Sequence, residues 1–97
     1  MEHRVVITGM GVITPVGNNI ADFWRNLVDG YCGIDHIKGF DEYELPISVA
    51  GQVKDFNPEE YGLERGDVRR SDLYCQYAMA AAYQAMTDSG LVSGENV

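Results

Sequence analysis

Arg4-Val5-Val6-Ile7-Thr8-Gly9-Met10-Gly11-Val12-Ile13-Thr14-Pro15-Val16-Gly17 opens the chain and decides its class. Val5, Val6 and Ile7 are consecutive β-formers without polar alternation, the pattern of a strand buried on both faces in a layered α/β core. Gly9 and Gly11 follow, where the chain turns or passes a neighbour that a Cβ would strike. A glycine loop after a first strand is also how a dinucleotide-binding fingerprint starts. Here Thr14 stands at the third glycine position, Val12 and Ile13 prolong the apolar run, Pro15 breaks it, and the helix signal waits until Asn18 and Asn19. The glycines are therefore read as turn and packing residues rather than as a phosphate cradle.

Beyond the loop, Asn18 or Asn19 caps a helix whose apolar residues Ile20, Phe23, Trp24, Leu27 and Val28 form a single stripe, ended by Gly30. Phe23, Trp24 and Leu27 are expected to face the sheet. From Gly33 the chain, with Asp35, Lys38, Gly39, Asp41 and Pro46, reads as an irregular surface connection. Ile47, Val49, Gly51 and Val53 then alternate with Ser48, Ala50 and Gln52, the period of a half-buried strand. Asn57-Pro58-Glu59-Glu60-Tyr61-Gly62 supplies a cap, proline at the first helical position, two acids and a closing glycine, which predicts one short helical turn. From Ser71 to Ser89, with Gly90 as the stop, runs a helix apolar over most of its circumference. Its alanines would let neighbouring backbones come close. Such a helix belongs in the middle of a larger core, which two strands and one other helix cannot supply.

The chain has 97 residues, 45% of them hydrophobic and 23% charged, an ordinary globular composition and at most one domain. Its net charge of -8 argues against nucleic acid or an anionic membrane as a partner. No apolar run approaches a membrane span, and no leader pattern opens the chain, so a cytoplasmic location is expected. Cys32 and Cys75 lack metal-ligand spacing and read as reduced, buried residues; no metal site is expected.

In order and spacing, Val5-Val6-Ile7-Thr8-Gly9-Met10-Gly11, Ser48-Val49-Ala50-Gly51-Gln52-Val53-Lys54-Asp55-Phe56, Arg69-Arg70-Ser71-Asp72, Gln76-Tyr77-Ala78 and Asp88-Ser89-Gly90-Leu91 resemble β-ketoacyl-acyl-carrier-protein synthases. The resemblance is to the elongating type II branch more than to type I. It covers essentially the whole chain. It implies that residues 1–97 are the N-terminal segment of the first half of a thiolase-like fold, helix, sheet, helix, sheet, helix in layers, with no complete domain boundary inside the segment. It also implies a homodimeric enzyme of fatty acid elongation that needs no cofactor. In that family a cysteine accepts the acyl group from an acyl-carrier protein, and two histidines assist decarboxylation of malonyl carrier protein and carbon–carbon bond formation.

A nucleophilic cysteine in this family sits at a strand-to-helix turn, where a helix N-terminus lowers its pKa. Cys75 reads as lying well inside a helix and Cys32 as trailing the end of another, while His3 precedes the first strand and His36 falls in a loop. No catalytic residue is carried over to this segment. A docking surface is carried over. Arg65, Arg69 and Arg70 hold three of the seven basic residues of an acidic chain, just before the long helix, where backbone N–H groups favour anions. Arg69 and Arg70 align with the basic pair that receives the acidic carrier protein. The local sequence departs at Gly66 and Asp67, where further basic character is common. The alternative role is local ion pairing, Arg69 with Asp72 and Arg65 or Arg70 with Asp67, which contributes little. An alternative reading of the chain is a small non-catalytic carrier-protein-binding or assembly module.

Overall fold

Asn19 accepts the Asp22 backbone N–H on its side chain and starts α1, Ile20–Val28, in the computed structural model, which describes residues 2–40, 44–92 and 94–95. After α1 come β1 (Ile34–His36), β2 (Val49–Gly51), a 3-10 turn (Pro58–Tyr61), α2 (Arg65–Arg70) and α3 (Leu73–Ser89). The chain divides into two compact units, Met1–Val12 with Asn57–Val97, and Ile13–Phe56.

In the second of these units β1 and β2 pair antiparallel, Ile34 opposite Gly51, Asp35 opposite Ala50 and His36 opposite Val49. The Gln52 side chain prolongs the ladder, accepting the Lys38 N–H at 2.9 Å and donating to the Lys38 carbonyl at 3.1 Å. Lys54 ties the unit together: its ammonium donates to the carbonyls of Pro15 (3.3 Å), Gly33 (3.1 Å) and Gln52 (3.4 Å). One cation thus satisfies carbonyls from three separate stretches that no ladder pairs. Two expectations are corrected here. The stretch after Gly33 contains β1, which carries no alternating pattern and is a strand because β2 pairs with it; Asp41 of that stretch lies outside the described residues. The stripe of α1 is present, but no residue of α1 is buried; Trp24 is 64% exposed, Leu27 and Val28 are exposed, and Phe23 is half-buried. A two-stranded ribbon offers too little surface to cover such a stripe.

The other unit is built on α3. Asp72 occupies its N-cap and Gly90, in the left-handed conformation, its C-cap. The stretch carrying Gly9 and Gly11 lies against one face of this helix. A Cβ on Gly9 would strike the Ala85 carbonyl and come within 2.6 Å of the Ser89 nitrogen; on Gly11 it would strike the Ala81 carbonyl and come within 2.6 Å of Gln84 Cβ. Hydrogen bonds hold that approach. The Val12 N–H donates to the Gln84 side-chain oxygen at 3.2 Å, Gln84 Nε2 donates to the Val12 carbonyl at 3.0 Å, and the Met10 N–H donates to Asp88 at 3.1 Å. The strand expected at Val5–Ile7 does not form. These residues carry no ladder and are exposed, Val5 at 93% and Ile7 at 82%. A strand needs a partner for its N–H and C=O groups, and among the described residues of this unit there is no strand to supply one. Among the described residues, the buried apolar side chains are Leu63 and Ala80.

Candidate functional site

The short turn is as the sequence predicts. Asn57 accepts the Glu59 N–H at 3.2 Å, Pro58 occupies the first turn, and Gly62 ends it at φ 72°, a left-handed position that a Cβ would strain. Tyr61 meets Tyr83 of α3 edge to face, ring centroids 6.5 Å apart at 78°, which fixes the turn on the long helix. Burial pushes the Tyr61 phenol pKa up, with the Glu60 carboxylate adding to the shift. Leu63, buried, follows directly and leads into α2.

The three arginines lie in α2, a helix of their own ahead of the long helix, which begins two residues later than the sequence suggests. The Glu64 N–H donates to the Asp67 carboxylate at 3.2 Å at the start of α2. Arg69 and Arg70 fall in its last turn, where free carbonyls favour cations. Arginines and acids are interleaved here, so the field presented to a partner depends on which cations are already paired. Arg70 is engaged locally: its Nε donates to the Gly66 carbonyl at 3.0 Å, and its guanidinium lies 3.7 Å from Asp67. Among the described residues Arg65 and Arg69 make no ion pair, so the alternative pairing of Arg69 with Asp72 does not occur. Arg65 and Arg69, four residues apart on one face of α2, border a cavity of about 240 Å³ with Asn57, Pro58, Glu59, Leu63 and Val68.

Gln76 is the residue that sequence reasoning missed. It is 5% exposed, and its amide nitrogen donates to the carbonyls of Val68 (3.3 Å) and Ser71 (3.0 Å). It thereby holds the C-terminal end of α2, and with it Arg69 and Arg70, against α3. A polar residue inside an apolar helix was the available signal. Replacing Gln76 by Leu leaves two carbonyls without their donor, and is expected to destabilise the folded protein by about 2 kcal/mol. Chemical denaturation of the variant checks this; an unchanged midpoint would remove Gln76 from the positioning role.

The candidate nucleophiles and bases line no part of the cavity beside α2. Cys32 is exposed after α1, not buried as expected, and His36 lies in β1. Because α3 begins at Leu73, Cys75 sits in the first turn of that helix rather than deep inside it, half-buried; among the described residues no histidine hydrogen-bonds it. A further cavity, of about 260 Å³ beside Thr14, Arg25 and Lys54, has its cations committed, Arg25 to Asp22 and Lys54 to carbonyls. No described helix is long and apolar enough to cross a membrane.

The family model "Beta-ketoacyl synthase, N-terminal domain" matches residues 2–96, and the chain belongs to that family. It is 45% identical over 96 residues to 3-oxoacyl-[acyl-carrier-protein] synthase 2 of Vibrio harveyi, covering 98% of this chain and 23% of the relative. It is 41% identical to the enzymes of the same name from Synechocystis sp. over 94 residues and from Staphylococcus aureus strain COL over 95, covering 97% and 98% of this chain. The chain thus spans 22–23% of the length of these relatives.

Proposed function

We propose that residues 1–97 are the N-terminal segment of an elongating β-ketoacyl-acyl-carrier-protein synthase, a cytoplasmic homodimer with the layered thiolase-like fold. Such an enzyme moves an acyl group from carrier-protein thioester to a cysteine thiolate. Malonyl carrier protein then loses CO₂, and the resulting carbanion attacks the enzyme thioester and expels the thiolate as the new carbon–carbon bond forms. The observation that supports this reading is the family match over residues 2–96 together with relatives of that name at 41–45% identity. Within this segment no residue is assigned to the chemistry. Its part is reception of the carrier protein by Arg65, Arg69 and Arg70. The full-length enzyme given an acyl and a malonyl carrier protein should release CO₂ and form the β-ketoacyl product; failure to do so with an active carrier protein would overturn the reading.

The docking role makes a separate expectation. Reversing Arg69 and Arg70 to Glu in the full-length enzyme removes attraction for an acidic partner and adds repulsion. Affinity for the carrier protein at low salt should fall by at least tenfold, mostly through the association rate, and the gap to wild type should shrink as salt is raised. Stopped-flow association against ionic strength reads this. Equal rates for the two proteins at low salt would overturn the docking role of the pair.

A further inference from the structure

The Lys54 ammonium has three N–H donors, and it meets three main-chain carbonyls: Pro15 at 3.3 Å, Gly33 at 3.1 Å and Gln52 at 3.4 Å. Three oxygens from separate stretches therefore surround one point. Among the described residues no carboxylate pairs with this charge, so neutral carbonyl dipoles hold it. The surroundings of these oxygens are fixed without the lysine. Pro15 sits in a turn closed by Thr14 and Gly17, whose backbones exchange hydrogen bonds at 3.0 and 3.3 Å, while the Thr14 hydroxyl donates to the Gly17 carbonyl at 2.9 Å. Gly33 and Gln52 flank the end of the β1–β2 ladder, next to the Ile34 and Gly51 pair. Gly33 is buried against the turn, where a Cβ would come within 2.8 Å of Val16 and 3.0 Å of Pro15. Turn and ladder keep the oxygens together by contacts in which Lys54 takes no part.

We infer that these carbonyls form a preorganised site for one large monovalent cation, K⁺ or NH₄⁺, which Lys54 fills with its own ammonium as a tethered ion. Carbonyl oxygens are the ligands that replace the hydration shell of such ions. Divalent ions do not suit the site. Its oxygens stand 3.1–3.4 Å from the centre, against about 2.0–2.6 Å for Mg²⁺ and Ca²⁺, and among the described residues no carboxylate balances a second charge. Two cavities reach the site, one of about 260 Å³ lined by Pro15 and one of about 320 Å³ lined by Gln52, and Lys54 lines both. They supply the entry path, and room for the waters that complete an ion's shell, once the lysine stem is shortened. Asp55 borders both cavities and Asp35 the second, a negative setting that favours cations. Because a covalently tethered charge cannot be diluted away, the lysine makes this unit indifferent to the ions around it.

The test compares the full-length wild type, Lys54→Ala and Lys54→Met in the chlorides of K⁺, NH₄⁺ and tetramethylammonium at equal ionic strength. Melting temperature and amide exchange in β1 and β2 are the readouts. Alanine opens the site, whereas methionine occupies it with an uncharged stem. Wild type should give the same values in all three salts. Lys54→Ala should melt several degrees lower in tetramethylammonium, which is too large to enter, with faster exchange in both strands. K⁺ or NH₄⁺ should recover most of that loss, and the recovery should grow with the logarithm of concentration as linked binding requires. Lys54→Met should show the loss without the recovery. In equilibrium dialysis with rubidium, a stand-in for K⁺, Lys54→Ala should retain one ion more per chain than wild type. If alanine does not fold, Lys54→Ser repeats the series. Values for Lys54→Ala that ignore the cation would overturn the inference, as would equal recovery by Lys54→Met or failure of both open variants to fold in K⁺. A Lys54→Ala protein as stable as wild type in tetramethylammonium would overturn it too, since the carbonyls would then need no cation.

Discussion

Residues 1–97 expressed alone are expected to bind a hydrophobic dye, self-associate and unfold without a cooperative transition, and to catalyse no condensation. Too little of the apolar surface finds a partner within the segment. Val5, Val6, Ile7, Trp24, Val28, Leu73 and Tyr74 are all exposed, while Leu63 and Ala80 are the buried apolar side chains among the described residues. Each large apolar side chain left in water forgoes about 1.5–3 kcal/mol of burial, and the conformational entropy of ordering the backbone still opposes folding. Unpaired, β-branched and without charge, Val5-Val6-Ile7 is also a ready template for strand addition from another molecule. Light scattering, dye fluorescence and calorimetry check this. A monomer with a single calorimetric transition would show that the contacts within the segment suffice, and the expectation would be withdrawn.

The second large effect is at Gly11. Alanine there would place its Cβ against the Ala81 carbonyl, 2.6 Å from Gln84 Cβ and 2.9 Å from the Ala85 nitrogen. These are mostly main-chain atoms of α3, which cannot rotate away as a side-chain tip does. The stretch must lift off the helix, and the paired hydrogen bonds between Val12 and Gln84 go with it. Overpacking of this kind should cost the full-length protein about 3 kcal/mol, seen as lost soluble yield and a lower melting temperature. Gly66→Ala is the contrasting substitution. Its Cβ would meet only the tip of Arg70, 3.2 Å away, in a helix where alanine is preferred, so a gain of up to about 1 kcal/mol is expected. Similar melting temperatures for the two variants would refute the close-approach argument at Gly11.

Of the candidate site, the sequence made the arginines legible and little else. Their clustering in an acidic chain was visible, but which were already paired was not. Arg70 is occupied by its own helix because Gly66 and Asp67 lie one turn earlier, whereas Arg65 and Arg69 flank a cavity walled by the preceding turn. A cavity is a relation between Pro58, Leu63 and Val68 in space, and no spacing rule encodes it. Gln76 was marked only as a polar residue in an apolar helix; its partners, the carbonyls of Val68 and Ser71, are backbone groups that carry no residue-specific signal.

By itself the sequence determined the elements whose cause is local. Asn19 starts α1, Asn57, Pro58 and Gly62 make the short turn, and Gly90 stops α3, because caps and left-handed closures act within a few residues. It also determined family membership, through motifs in order from Val5 to Leu91. Tertiary structure alone decided the rest. Ile34–His36 is a strand because Val49–Gly51 lies beside it, and Val5–Ile7, the strongest strand pattern in the chain, is not one because none of the described residues pairs with it as a strand. The glycines of the opening stretch are tested only where Ala81 and Ala85 pass beneath them. A helix satisfies its hydrogen bonds within itself, but a strand, a cavity and a close approach each need residues far away in the chain.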